Sequence, residues 1–295
     1  MDSKEITSKK FTVFMLIAFL AAYIPLTAAG IMYAKGNTLA FMLLFRVVAI
    51  ALPFLAVIIA RLPLKKIGFG IRCKVKYIIA ALIGSQLLSW IGAAVYFIVF
   101  PDSFKLGFDA FTAMLPSELS SVYDLIDPVP FLIVMTVMSL TIIPVSQIIP
   151  SLGEEAGWRG VLYPFLKRKF GKTMGRIIGG ALWGIWHWPL LIIGGYFYGK
   201  DYIGYPVLGP VTMCIALIVF GIVIDYLYEK THSIWVASLA HAAMNAASMP
   251  MMLVAGSSDS AMSVFGPTAF ALIPLVPVLV AAVILSLRKE SAKEA

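Results

Sequence analysis

The chain has 295 residues, of which 61% are hydrophobic and only 13% charged, with a mean hydropathy of +0.94. Soluble domains carry about one quarter charged residues, so these values exclude an ordinary soluble domain and point to a membrane protein. The net charge of +8 sits in short stretches between apolar runs. It reads as membrane topology and contact with anionic lipid, with no nucleic-acid partner.

A helix needs about 20 mostly apolar residues to cross roughly 30 Å of hydrocarbon. The first such run, 11–33, follows Lys9 and Lys10 as a signal peptide would, but it is too long for one and predicts an uncleaved anchor. The second, 39–60, holds Arg46 about 10 Å from its outer end, where a long cationic side chain is expected to snorkel outward. A third run covers 77–100. The segment 101–130, with Asp102, Asp109, Glu118, Asp124 and Asp127, predicts a structured loop, a short surface helix or a lid. Then come 131–149, extending toward 165, and 177–198, 207–228, 234–255 and 267–287. The predicted fold is therefore an all-α membrane bundle of eight transmembrane helices around a polar intramembrane cavity. It forms one integral-membrane domain, 1–295: N-terminal spans to 130, core spans over 131–255, and a last span and tail over 256–295.

Lysine and arginine orient the bundle. With the N-terminus inside, the cytoplasmic segments hold Lys4, Lys9, Lys10, Arg61, Lys65, Lys66, Arg72, Lys74, Lys76, Lys167, Arg168, Lys169, Lys172, Arg176, Lys230, Arg288, Lys289 and Lys293. The outer loops hold only Lys35, Lys105 and Lys200. This positive-inside bias predicts a multi-pass protein of the cell membrane with both termini cytoplasmic. Cys73 and Cys214 fall most of a bilayer apart, so no disulfide is expected.

Ionisable residues at membrane depth are costly and face the bundle interior. Those here are Arg46, Glu154, Glu155, Arg159, His187, Asp225 and His241, joined by the neutral Asn245. Measured from the basic end of each helix, Glu154 lies 13 residues before Lys167, roughly 20 Å in. His187 lies 11 residues after Arg176 and His241 lies 11 after Lys230, each roughly 16 Å in. Three helices thus bring a carboxylate and two imidazoles to one layer. Glu155 and Arg159 are four apart and can pair, as His241 and Asn245 can share a face. Glu154 points about 100° away from Glu155. Pro150 and Gly153 predict that the glutamate helix starts or bends near Ser151.

A glutamate, two histidines and an asparagine in a buried wet pocket suit hydrolysis. The glutamate would take a proton from water while an imidazole holds that water. The other imidazole and the amide would donate to a developing oxyanion. No cofactor is required. Zinc is the competing chemistry, because two His and one Glu form a catalytic zinc set, although no His-Glu-x-x-His helix is present. Asp225, near the basic end of its span, reads as solvated, paired or in contact with substrate. His232 reads as interfacial. Trp183, Trp186 and Trp188 read as core packing or as an apolar wall for a hydrophobic peptide.

The ordered motifs "EEAGWR" at 154–159, "WGIWH" at 183–187 and "HAAMN" at 241–245 resemble the CPBP intramembrane proteases, also called the Abi family, which include the type II CAAX prenyl endopeptidases. The family pattern is Glu-Glu-x-x-x-Arg, Phe-x-x-x-His and His-x-x-x-Asn, with Trp183 here in place of the phenylalanine. The resemblance covers 151–248. It implies an intramembrane endopeptidase in which Glu154 is the water-activating base and His187 its partner. His241 and Asn245 would stabilise the oxyanion, with Glu155 and Arg159 supporting. It also implies an eight-helix bundle with a conical cavity open to cytoplasm and lipid, and a hydrophobic or lipidated peptide substrate. Open beside it are a zinc-dependent protease using the same residues, a proton-coupled transporter, and a non-catalytic immunity or partner-binding protein.

Overall fold

Prolines decide where the apolar runs of this chain stay straight and where they break. The computed structural model describes residues 7–112, 123, 125–255 and 260–287. Lys4, Glu118, Asp124, Arg288, Lys289 and Lys293 lie outside the described residues. In chain order the helices are α1 (Ser8–Ala34), α2 (Thr38–Ile59) and α3 (Val75–Val99), then α4 (Pro128–Leu140), α5 (Ile142–Ser146) and α6 (148–170). They continue with α7 (Lys172–Gly194), α8 (Leu208–Thr231), α9 (Ile234–Ala246), α10 (Ser248–Val254) and α11 (Leu275–Leu287). Among the described residues there is no strand, only an isolated bridge between Phe104 and Ala255. By length and composition α1, α2, α3, α7 and α8 can each cross a bilayer, while α4 and α11 are shorter apolar helices.

A proline cannot donate to the carbonyl four residues back, and its ring pushes that carbonyl aside. Pro144 and Pro150 face Leu140 and Ser146 in this way, and the chain breaks at Thr141 (φ −129°, ψ −81°) and again at Gln147. The long apolar run 131–165 is therefore three helices. The break lies upstream of the expected Ser151, and Pro150 sits in the first turn of α6, where its missing N–H is no loss. Pro250 likewise ends α9 at Ala246 and splits the run 234–255. The Ala247 carbonyl at this break accepts from Trp90 Nε1 at 3.0 Å. Pro267 and Pro274 keep the run 267–287 non-helical until Leu275. In α1 and α2 the helix instead widens: π-type turns end at Ala21 and Ala49, each four residues before Pro25 or Pro53.

Glycines set the close approaches that position the central helices. A Cβ on Gly153 would lie 2.6 Å from the Ile50 carbonyl oxygen, and one on Gly157 2.6 Å from Pro53 Cβ. This Gly-x-x-x-Gly stripe lets α6 seat backbone to backbone on α2. Glu154 and Glu155, one and two positions after Gly153, are thereby turned away from the seam. Gly180 and Gly184 do the same for α7 against Ile218 and Cys214 of α8.

The basic ends of α6, α7 and α8 are locked by ion pairs. Asp225, fully buried, accepts from Lys167 Nζ at 2.8 Å and from Arg176 Nε at 2.6 Å. Glu229 also meets both cations, at 2.9 Å each. Asp225 is thus paired. Because each cation keeps Glu229, Asp225→Asn is expected to cost about 1–3 kcal/mol, the scale of lost hydrogen bonds to charged groups. Melting in detergent reads this, and an unchanged midpoint would show that the network carries no stability.

Candidate functional site

Three helices present their polar residues at helical spacing to one cavity of about 130 Å³. Gln147 caps α6 and, with Ser151 and Glu154 of that helix, lines the cavity, as do Trp183 and His187 on one face of α7 and His241 and Asn245 on one face of α9. Spacings of three and four keep such residues on a common face. From α2, Phe45, Arg46 and Ile50 complete one wall.

Glu154 is held by two indoles. Trp183 Nε1 donates to its Oε2 at 2.8 Å and Trp158 Nε1 to the same oxygen at 3.2 Å. Both bonds fall on one oxygen, so Oε1 is the atom left for the cavity. Trp158 is four residues from Glu154, a spacing visible in the sequence although its donor role was not. Trp183, by contrast, stands where the family pattern has phenylalanine, which cannot donate. Trp183→Phe is expected to lower kcat roughly tenfold, as loss of a hydrogen bond to a charged group does, with KM little changed. An unaltered kcat would show that the Trp158 bond alone holds the carboxylate.

The break in α7 orients His187. Its backbone N–H bonds the Gly184 carbonyl at 3.0 Å instead of that of Trp183, freeing the latter for its own ring Nδ1 at 3.0 Å. A carbonyl only accepts, so Nδ1 carries the proton and Nε2 is the free ring nitrogen. Pro189, two residues on, leaves the Ile185 carbonyl without a helical donor, and Tyr23 Oη supplies one at 2.7 Å. Trp186 packs edge-on against the His187 ring, with centroids 4.9 Å apart, and its Nε1 donates to the Ala18 carbonyl at 2.9 Å.

Glu155 and Arg159 do not line the cavity; they lie behind it, both fully buried. Arg159 donates to Glu155 Oε1 at 2.9 Å and is sandwiched between the Tyr163 and Trp183 rings, 4.5 and 4.6 Å from their centroids. The same Glu155 oxygen accepts from His241 Nδ1 at 2.9 Å. Glu155 therefore serves two partners, of which sequence spacing indicated only Arg159. The bond leaves His241 Nε2 as its free ring nitrogen. It crosses 86 positions of sequence, so no local pattern could have announced it.

Other residues are placed differently from expectation. Arg46 does not snorkel away: it lines the cavity and donates from Nη1 to Gln147 Oε1 at 3.3 Å. Of the three tryptophans around His187, Trp183 is wall and Trp186 is buried core. His232 is exposed, at the left-handed cap of α8 (φ 47°).

The ring bonds of His187 and His241 are of the kind that zinc-ligating histidines make, to a carbonyl and to a carboxylate. Yet among the described residues no three His, Cys, Asp or Glu side chains come close enough to share one ion.

Residues 134–247 match the family model described as type II CAAX prenyl endopeptidase Rce1-like. A "CAAX prenyl protease 2" of Methanococcus maripaludis is 26% identical over 93 residues, which cover 31% of this chain and 34% of the relative. The chain thus spans about a third of the length of that curated relative in the match. Glu154, Glu155, Arg159, His187, His241 and Asn245 all fall within 134–247, the segment in which this membrane protein is similar to the type II CAAX prenyl endopeptidases.

Proposed function

We propose that the chain is an intramembrane endopeptidase that cuts hydrophobic or lipidated peptides with a water molecule activated by Glu154. The observation that carries this reading is the meeting of Glu154, His187, His241 and Asn245 around one cavity. Glu154 Oε1 takes a proton from water, and His187 Nε2 accepts the other O–H and holds the oxygen in place. The hydroxide adds to the scissile carbonyl. Asn245 and His241 donate to the oxyanion that forms. Because His241 Nδ1–H is committed to Glu155, it can donate from Nε2 only as the doubly protonated ring, with Glu155 as counter-charge. When the C–N bond breaks, the proton on Glu154 passes to the leaving amine, which restores the carboxylate.

The apolar lining from Met213, Leu217, Met244, Met249, Met252 and Phe270 suits a hydrophobic segment, and the relative's printed name extends this to prenylated peptides. We further assign eight crossings, with α4–α6 forming one broken span, α9 with α10 one span, and α11 the last. Both termini are then on the cytoplasmic face of the cell membrane, as the Lys and Arg bias requires.

Turnover of internally quenched peptides, prenylated and unprenylated, by protein reconstituted in liposomes tests this. Cleavage is expected to persist in chelator and to vanish in Glu154→Gln. Activity lost in chelator and restored by zinc would replace the glutamate–water mechanism with the metal one, which the two Nδ1 bonds favour as second reading. No cleavage together with proton flux across the liposome would sink the hydrolase.

A further inference from the structure

A second cavity, of about 160 Å³, lies at the basic end of α8. Arg72, Cys73 and Lys74, on the chain leading into α3, line it together with Tyr77 of α3 and with Lys230 and Thr231 of α8. Three cations thus share one cavity, and among the described residues that line it none is Asp or Glu. The nearest acids along α8, Asp225 and Glu229, are held by Lys167, Lys172 and Arg176. The Thr231 hydroxyl serves its own helix, donating to the Leu227 carbonyl at 2.8 Å. Lys74 is the N-cap of α3, makes no side-chain cap bond, and is followed by no acid in the first turn. The positive end of that helix therefore adds to the field of the cations. Like charges gathered in this way repel one another, and an anion relieves the repulsion.

Beside the cavity the surface turns apolar. Ile71, Val75, Ile78 and Ile79 are all exposed. The last three stand at i, i+3 and i+4 on one face of α3, a helix long and apolar enough to cross a bilayer. We infer that the cavity binds the phosphate of an anionic phospholipid, whose acyl chains lie along Val75 and Ile79. Basic pockets between membrane helices recognise such headgroups. The exposed apolar stripe decides for a lipid, because a free phosphate ion has nothing to place there. Bound in this way, the lipid ties the start of α3 to the end of α8.

The test titrates the purified full-length protein in neutral detergent with phosphatidylglycerol, phosphatidylcholine and inorganic phosphate. Native mass spectrometry reads the retained lipid, and the melting midpoint is followed in parallel. Phosphatidylglycerol is expected to bind about 100-fold tighter than phosphatidylcholine, about fivefold for each of the three cations, and the preference should shrink as salt rises. Arg72→Gln, Lys74→Gln and Lys230→Gln combined should remove it. Lys9→Gln, Lys65→Gln and Lys169→Gln combined, which take the same charge from outside the cavity, should leave it in place. Cys73 lines the cavity, so phosphatidylglycerol should also slow its alkylation in the native chain severalfold, a readout that needs no variant. The inference is overturned by equal retention of the two lipids, by loss of the preference in the outer triple variant, or by an unchanged rate at Cys73. Equal protection by inorganic phosphate overturns the lipid assignment. Cleavage is no part of the readout, so the outcome is independent of the hydrolase reading.

Discussion

Glu154→Gln is expected to fold normally and to lose about 10²–10⁴-fold in turnover, the range supplied by a general base. The fold should survive because the amide keeps the shape of the side chain. Its oxygen can still accept from Trp183 and Trp158, which now bond Oε2 at 2.8 and 3.2 Å. The nitrogen then takes the place of Oε1 and has no lone pair to receive a proton from water. Circular dichroism, melting midpoint and kcat on one reconstituted preparation measure this. A folded Glu154→Gln protein with near-native kcat would remove Glu154 from the base role.

The second large effect concerns Glu155 and differs in kind, because this carboxylate is structural and positioning at once. Glu155→Gln removes the counter-charge of a fully buried Arg159, and breaking a buried pair costs about 3–5 kcal/mol. The melting midpoint should therefore fall sharply. The same change takes from His241 the anion that its Nδ1 meets at 2.9 Å, so turnover should also fall. Glu155→Gln, Arg159→Met separates the two roles. Both charges then leave together and much of the stability should return, while activity should not, since His241 Nδ1 still lacks the carboxylate that positions it. Recovery of stability and activity together would show that the His241 contact plays no part in turnover.

The Glu155–Arg159 pair was legible in the sequence because one helix puts residues four apart side by side. The common depth of Glu154, His187 and His241 was legible for a similar reason: helix rise is constant, so counting from the basic ends places residues along each axis. Breaks were foreshadowed by prolines, but their positions were not. Pro144 and Pro150 end helices at Thr141 and Gln147, whereas Pro25 and Pro53 are absorbed by widened turns. Which outcome occurs depends on the neighbours that can receive the displaced carbonyls.

By itself, then, the sequence determined a helical membrane chain and the polar residues that share each helix face, because composition and a 3.6-residue period act locally. Tertiary structure alone decided which faces meet. Close seating of α6 on α2 through Gly153 and Gly157 brings Arg46 to the cavity wall, when its distance from the helix end suggested that it snorkels outward. The packing of α6, α7 and α9 turns Trp183 into a donor for Glu154 and gives His241 the carboxylate of Glu155. Those contacts join residues far apart in sequence, and their geometry follows from interhelical distance and rotation, which no single-helix pattern specifies.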